Sequence, residues 1–282
     1  LNIRITLGAT MNIADGMEKA DIALKTARIR HKPFMIYDGN LNIEHQYHQN
    51  MQWTQRLTAA IAEDRIIPYY QPIFDNQSGT ISSYECLIRL VEPDGNVLTP
   101  FHFLEISKKA RLYPRLTMIM VEKCCRHFRD RTDHFSINLS VDDILDEDTV
   151  SFIKEQITTH RVMEQISFEI LESVGIENYP EILSFIEEMK ALGCRFSIDD
   201  FGSGYSSFEH ILRLHVDYLK LDSSLIKNID TDQQSYTVVE TIQNFAAKLN
   251  METVAEFVHS KSVQDTIKAL GIHFSQGYYI GK

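Results

Sequence analysis

The chain has 282 residues, of which 44% are hydrophobic and 24% are charged, and its formal net charge is −11. This length suits one large domain or two smaller ones, and the composition is ordinary for a globular protein. The acidic balance argues against nonspecific binding to a nucleic-acid polymer, and no apolar run approaches the roughly 20 residues of a membrane span. A small anionic ligand held by metal ions remains compatible with this charge.

The first 38 residues are predicted to be the end of another domain. Ile3–Gly8 alternates like a strand, and Asp15–Arg30 has the apolar spacing of a helix. A piece of this size cannot bury a core alone. Residues 39–50 are predicted to be a polar connector, after which Met51–Glu63 resumes helical spacing. Because the chain begins with Leu1, we expect it to be a fragment of a longer protein.

From Ile66 onwards, predicted strands alternate with predicted helices. The strands are Ile67–Phe74, Thr80–Leu90, Phe135–Val141, Ile166–Leu171, Arg195–Asp200, Tyr218–Leu221, Thr253–Glu256 and Phe274–Tyr278. The helices are Phe101–Ala110, Leu116–Arg129, Glu147–His160, Pro180–Leu192, Ser207–Leu214, Ser235–Leu249 and Ser262–Leu270. Asp75–Gly79 is predicted to be a hairpin turn between the first two strands. Repeated β-α units predict an α/β barrel with its site at the carboxyl ends of the strands.

Five short polar segments end apolar runs. They are Tyr84-Glu85-Cys86-Leu87, Ile137-Asn138-Leu139-Ser140, Phe168-Glu169-Ile170-Leu171-Glu172, Ile198-Asp199-Asp200-Phe201-Gly202 and Val254-Ala255-Glu256. Carboxylates and carboxamides at such positions are costly to bury unless something positive meets them. We expect these strands to direct oxygen ligands at one shared site, and an oxygen-rich set favours Mg²⁺ or Mn²⁺ over zinc.

The adjacent carboxylates of Asp199 and Asp200 need a compensating cation, or one of them must bind a proton. Two divalent ions about 3.5–4 Å apart, bridged by a carboxylate, are a recurring device for phosphodiester hydrolysis. The alternative is a solvated helix start. Gly202–Ser207, which follows, fits either a loop that closes over a metal pair or a plain β-α connector.

Four further polar side chains lie in predicted strands. Lys220 can pair with carboxylates, orient a water or transfer a proton, and the alternative is a structural salt bridge. Arg89 can bind a phosphate or form an ion pair inside the barrel. Gln71 and Gln276 can contact a base edge or a water, or be structural.

Other chemistries have no signature in the sequence. There is no HxH or HExxH pattern for zinc, no GxSxG for a serine nucleophile and no GxGxxG for a dinucleotide cofactor. The four cysteines lack zinc spacing, so we expect free thiols in a reducing cytoplasm.

These motifs together resemble a known family. Residues 52–282 are similar to an EAL domain, the family of cyclic di-GMP phosphodiesterases. The similarity is carried by Tyr70-Gln71-Pro72-Ile73, Glu85-Cys86-Leu87-Ile88-Arg89, Asn138-Leu139-Ser140, Glu169-Ile170-Leu171-Glu172-Ser173, Asp199-Asp200-Phe201-Gly202-Ser203-Gly204, Lys220-Leu221-Asp222, Ala255-Glu256 and Gln276-Gly277-Tyr278. Residues 1–38 resemble the last part of a GGDEF domain without its signature loop, and 39–51 would be the linker.

The resemblance implies a TIM-like (β/α)8 barrel whose first strand is antiparallel. It implies Mg²⁺- or Mn²⁺-dependent hydrolysis of cyclic di-GMP to linear pGpG, with two metal ions. One ion would be bound by Glu85, Asn138, Glu169 and Asp199, and the second by Asp199, Asp200 and Glu256. The catalytic set would be Lys220 as the base, Gln276, Glu256, and Glu172 as the anchor of the Gly202–Ser207 loop. Substrate would contact Gln71, Leu87, Arg89 and Asp222.

The chain departs from the family pattern near Glu256. The family's Ala-Glu-Gly-Val-Glu reads Ala255-Glu256-Phe257-Val258-His259, and the alanine of the EAL triplet is Cys86. A receptor that binds cyclic di-GMP without cleaving it is therefore the competing hypothesis. We also expect a homodimer, GGDEF and sensory domains upstream, and a cytoplasmic location, with the full-length protein able to attach to the inner face of the membrane.

Overall fold

The computed structural model describes residues 5–11, 15–29, 32–38, 43–171, 179–203 and 212–281. Its strands are β1 (Leu7–Ala9), β2 (Phe34–Ile36), β3 (Ile66–Asp75), β4 (Ile81–Val91), β5 (Val97–Leu98), β6 (His134–Leu139), β7 (Ile166–Leu171), β8 (Arg195–Phe201), β9 (Tyr218–Leu221), β10 (Glu252–Ala255) and β11 (Phe274–Gln276). Its helices are α1 (Gly16–Ile29), α2 (Ile43–Ala62), α3 (Leu104–Lys109), α4 (Tyr113–Phe128), α5 (Val141–Leu145), α6 (Glu147–His160), α7 (Tyr179–Ala191), α8 (Ser223–Ile226), α9 (Gln233–Lys248) and α10 (Lys261–Ala269).

Eight strands close into a barrel in the order β3-β11-β10-β9-β8-β7-β6-β4, with β4 returning to β3. Strand β3 is antiparallel to both of its neighbours, β4 and β11, and every other barrel pairing is parallel. The predicted TIM-like barrel with an antiparallel first strand is therefore confirmed. In such a barrel, the carboxyl ends of the seven parallel strands lie at one end, where side chains from different strands can meet.

The main core lies between the barrel and its outer helices. Phe128 of α4 stacks on Phe135 of β6 with ring centroids 4.3 Å apart, and Phe185 of α7 packs edge-on against Phe196 of β8. Strand residues such as Phe168 are fully buried. Burial of this aromatic and aliphatic surface is what fixes the strands that carry the site.

Local signals explain the helix ends. The side chain of Asp146 accepts a hydrogen bond from Thr149 N, 3.2 Å away, so α6 begins where the sequence predicted. Gly193 lies two residues after the end of α7. Its φ of +102° is a positive-φ conformation that favours glycine and prevents the helix from continuing.

Two predictions about local structure were wrong. The stretch predicted to be a polar connector is helical from Ile43, because it contains helix-compatible residues and continues into the apolar face that begins at Trp53. Val141 belongs to the short helix α5 and not to a strand. Ser140 and Asp143 form a reciprocal capping box there, in which each side chain bonds the other residue's backbone N–H.

Before the barrel, β1 and β2 pair in parallel and α1 packs on them, and Ala23 and Ala27 of α1 are fully buried. The assignment of residues 1–38 and of the domain boundaries stays a prediction. Most of the helix predicted at Ser207–Leu214 lies outside the described residues. Among the described helices, none is both long enough and apolar enough to span a membrane.

Candidate active site

The adjacent carboxylates Asp199 and Asp200 stand at the end of β8. Asp200 has φ 56°, and the pairing of β8 with β9 shifts register between Ile198 and Phe201. This irregularity breaks the alternation that would send neighbouring side chains to opposite faces of a regular strand. One ligand oxygen from Asp199, one from Asp200 and one from Glu256 consequently lie within 4.8 Å of one another.

The remaining polar strand ends converge on the same place. Asn138 of β6 and Glu169 of β7 are neighbours in register. The side-chain amide of Asn138 donates to Glu85 Oε1 at 3.0 Å, which joins the middle of β4 to the carboxyl end of β6. Glu256 follows directly after β10, which pairs with β9. The expectation of one shared site is met by these contacts.

Lys220 lies in the centre of this cluster. Its ammonium nitrogen is 2.7 Å from Glu169 Oε2, 2.9 Å from Asp199 Oδ1, 2.9 Å from Glu256 Oε1 and 3.5 Å from Glu85 Oε2. The side chain is only 2% exposed. Four carboxylates thus surround one ammonium group, so negative charge remains in excess even before Asp200 is counted.

The excess charge changes the acid-base properties of the cluster. Burial, together with the charges of Glu85 and Asp199, raises the pKa of Glu169 well above its usual range. Burial and the same kind of repulsion raise the pKa of Glu256 to about 7. Burial also opposes ionisation of Glu85, but Lys220 and the amides of Gln276 and Asn138 outweigh it and lower the pKa of Glu85. The surrounding carboxylates overcome burial in turn and raise the pKa of Lys220.

These residues fit hard divalent cations. All the donors are carboxylate or carboxamide oxygens, which Mg²⁺ and Mn²⁺ prefer. Among the described residues, Asp199 Oδ1 is a buried oxygen that accepts no hydrogen bond, although Lys220 Nζ lies close to it. A cation near this oxygen would compensate the negative charge that the single Lys220 ammonium leaves in excess.

Gln276 and Gln71 lie beside the carboxylates. The Gln276 amide nitrogen donates to Glu85 Oε2 at 2.5 Å and to Gln71 Oε1 at 3.1 Å. Gln71 is opposite Glu85 in the antiparallel register of β3 and β4. Both amides therefore lie beside the Glu85 carboxylate, and Gln276 Oε1 has no hydrogen-bond partner among the described residues.

Leu87 and Arg89 extend the same face of β4 beyond Glu85, because alternate strand residues share a face. The Arg89 guanidinium donates to the Ile88 carbonyl at 2.9 Å and lies 5.5 Å from the centre of the Tyr69 ring. Tyr69 was not among the predicted site residues. It lies two residues before Gln71 on β3, so the two residues share a face of that strand.

Asp222 has a structural contact of its own. Its Oδ1 accepts from Ser224 N at 2.9 Å, and it caps α8. Its predicted contact with substrate stays a prediction. Glu172 and residues 204–207 of the predicted loop lie outside the described residues.

The structure adds Ser223 and Tyr278 to the site, because both line a cavity of about 350 Å³ together with Gln71, Glu85, Glu256, Phe257, His259, Gln276 and Gly277.

The fold and site are those of a mixed TIM-like barrel with an acidic cluster, able to hold a metal ion, around one lysine at the strand ends. Comparison with known families is more specific: residues 54–282 match the model described as "EAL domain". The chain therefore belongs to the EAL domain family.

Three relatives illustrate the similarity. The chain is 32% identical over its whole length to cyclic di-GMP phosphodiesterase PdeB of Shewanella oneidensis, covering 34% of that protein. It is 25% identical over its whole length to the bifunctional diguanylate cyclase/cyclic di-GMP phosphodiesterase MucR of Pseudomonas aeruginosa, covering 43% of it. A solved structure titled "PaMucR Phosphodiesterase, c-di-GMP complex" is 27% identical, with TM-score 0.77, and the match covers 82% of this chain and 96% of that one. The chain thus spans less than half of the length of the two full-length relatives.

Proposed function

We propose that this chain hydrolyses cyclic di-GMP to linear pGpG with the help of two Mg²⁺ or Mn²⁺ ions. The observation that carries the proposal is the cluster of four carboxyl groups around Lys220, whose single positive charge they outnumber. Relatives named as cyclic di-GMP phosphodiesterases and a related structure titled as a c-di-GMP complex support the choice of substrate.

Two sets of residues in the acidic cluster would hold the two ions. Glu85, Asn138, Glu169 and Asp199 would hold one ion, and Asp199, Asp200 and Glu256 the other. Bound ions of this type lower the pKa of a water molecule and neutralise charge on the phosphate oxygens.

Lys220 would accept the proton of the attacking water, and Gln276 would orient that water through its unpartnered Oε1. For Lys220 to accept a proton, it must lose its own when ions replace it as the partner of the carboxylates. The water oxygen would bond to phosphorus as the P–O3′ bond breaks, and the leaving 3′ oxygen would take up a proton from solvent while Lys220 keeps the proton of the attacking water. The product carries the phosphate on its 5′ side.

The test uses the purified chain after removal of metals. With Mg²⁺ or Mn²⁺ restored, we expect pGpG on ion-exchange chromatography, and in ¹⁸O-labelled water one ¹⁸O in its 5′-phosphate. Ca²⁺ should support binding but little turnover, since its looser shell positions a water poorly. Asp199→Asn should abolish turnover.

Asp217→Asn is the matched control, because Asp217 pairs with Lys190 at 2.8 Å at the opposite end of the barrel. This variant should keep its activity. Tight binding of cyclic di-GMP without pGpG formation in Mg²⁺ or Mn²⁺ would contradict hydrolysis and support the receptor hypothesis. Full activity in chelator would contradict the role of metal ions.

A further inference from the structure

Serines form part of the layer of side chains beneath the acidic cluster. Alternate residues of a strand share a face, so the residue two positions before each acidic or amide ligand also faces the barrel interior, nearer the amino end. On β4, β6, β7 and β8 this residue is a serine. The four are Ser83, Ser136, Ser167 and Ser197, beneath Glu85, Asn138, Glu169 and Asp199. A TIM barrel is usually filled by bulky branched side chains, so four small ones leave space inside.

This space is a cavity of about 200 Å³ at the amino end of the barrel. Its rim includes the exposed residue Arg195, which is the first residue of β8. Glu169 and Lys220 line its inner end, whereas Glu85 and Glu256 line the cavity of about 350 Å³ at the carboxyl end. The ion pairs of Lys220 therefore lie between two cavities at opposite ends of the barrel.

Three hydroxyls that line the amino-end cavity are buried without a partner. Among the described residues, no group forms a hydrogen bond with the hydroxyls of Ser136, Ser167 and Ser197. Ser136 is 6% exposed and Ser197 is 2% exposed, and Ser136 is opposite Ser167 in the parallel register of β6 and β7. A buried hydroxyl without a hydrogen bond destabilises a fold, so several of them in one cavity need a ligand that both donates and accepts.

Water fits this cavity in size and in chemistry. A buried water molecule needs two to four polar partners and occupies about 30 Å³, so a cavity of about 200 Å³ has room for several. Genuinely empty cavities are apolar, whereas this one has convergent hydroxyls and ends at an ion pair. Water bonded to Glu169 and Lys220 would reduce the cost of burying their charges.

We propose that Ser136, Ser167 and Ser197 bind a cluster of water molecules in the amino-end cavity, and that this water stabilises the Glu169–Lys220 pair from the end of the barrel opposite to the acidic mouth. The inference goes beyond the proposed function and does not depend on it, because it concerns a second site that can be tested without metal or nucleotide.

The experiment compares Ser167→Thr with Ser167→Val. Threonine and valine have the same shape, but only threonine keeps the hydroxyl. Magnetic relaxation dispersion of ¹⁷O water counts the long-lived buried waters, a crystal structure locates them, and thermal unfolding gives the Tm. Ser151→Thr and Ser151→Val are the matched control pair, because Ser151 is exposed on α6.

We expect Ser167→Thr to keep the water count of the unchanged chain, and Ser167→Val to lose at least one water. The Tm of Ser167→Val should lie below that of Ser167→Thr by about 2–4 °C, beyond any difference within the Ser151 pair. A dry cavity predicts the opposite sign, since valine would then fill apolar space and remove an unpaired hydroxyl. A valine variant at least as stable as the threonine variant, or an unchanged chain without long-lived water in this cavity, would overturn the proposal.

A second comparison tests the link to the ion pair. In a Glu169→Gln background, which removes one charge of the pair and keeps its shape, the Tm difference between threonine and valine at position 167 should fall to less than half. An equal difference in both backgrounds would overturn the stabilisation of the Glu169–Lys220 pair by this water.

Discussion

Lys220 provides one positive charge to four carboxylates, so its removal tests the electrostatic balance of the site. Lys220→Ala should lower the free energy of unfolding of the metal-free chain by on the order of 3–5 kcal/mol, because buried carboxylates lose their partner. Turnover should fall by roughly 10²–10⁴ if Lys220 acts as a base. Denaturant unfolding and pGpG assays measure the two effects.

Lys190→Ala is the control for Lys220, since the Lys190–Asp217 pair is about one-third exposed. A pair of that kind contributes at most about 1 kcal/mol. Restoration of Lys220→Ala stability by Mg²⁺ would support replacement of the ammonium by a cation. If Lys220→Ala unfolded at the same denaturant concentration as Lys190→Ala, the four buried carboxylates would not need Lys220 for the stability of the fold.

Glu256 is the group that we expect to make metal binding depend on pH. Burial raises the pKa of this carboxyl from 4.5 to about 7 in the folded, metal-free chain. The folded state therefore binds more protons than the unfolded state between these values, and this group's contribution to stability falls as pH rises through that window. A divalent ion needs the carboxylate, so metal binding should release a proton at about pH 6 and little at about pH 8.

Calorimetry in buffers of different ionisation enthalpy measures this proton release. Glu256→Gln should bind Mn²⁺ more weakly and lose the difference in proton release between the two pH values. Equal proton release by the unchanged chain at both pH values would exclude Glu256 as the titrating ligand.

At the level of single elements, the irregular end of β8 places an acidic side chain, that of Asp200, on a residue with left-handed backbone. Asp200→Gly and Asp200→Ala both remove the carboxylate, so both should weaken Mn²⁺ binding to a similar extent. Only glycine relieves the left-handed backbone at φ 56°. We therefore expect Asp200→Gly to be more stable than Asp200→Ala by about 1 kcal/mol. Thermal unfolding without metal measures the backbone contribution to stability, and Mn²⁺ titration measures the contribution of the carboxylate to metal binding.

The elements that sequence analysis predicted well are those whose residues signal them locally. Ile166–Leu171 and Tyr218–Leu221 are apolar runs with clear ends, and both match the structure. The helix start at Ile43 was missed because its first turns have a polar sequence that also suits a connector. The capped helix α5 was missed because it is too short to show periodicity.

The site was predictable residue by residue but not in its contacts. Each acidic strand end was visible, because a carboxylate after an apolar run needs a partner. The sequence could not show that one lysine contacts four of them, since these contacts join five separate parts of the chain. The antiparallel first strand likewise followed from the family resemblance, because strand direction depends on how the barrel closes.

At the scale of the whole molecule, the acidic site joins residues from five different strands of the barrel. Glu85, Asn138, Glu169, Asp199 and Glu256 come from or follow the strands β4, β6, β7, β8 and β10. Ions bound by these residues would cross-link strands that are distant in sequence and would bind the folded state alone. Stability should then rise with ion concentration, by about 2.7 kcal/mol when the ion is at 100 times its dissociation constant.

Thermal unfolding at increasing Mg²⁺, Mn²⁺ and Ca²⁺ measures this linkage without any substrate. All three ions should raise the Tm, because each binds carboxylate oxygens, although only Mg²⁺ and Mn²⁺ should support turnover. Asp199→Asn should remove most of the Tm increase, since its carboxylate would serve both ions, while Asp217→Asn should keep it. A Tm that does not respond to any of the ions, or responds equally in Asp199→Asn, would show that the acidic cluster is balanced by Lys220 and does not bind metal in the folded chain.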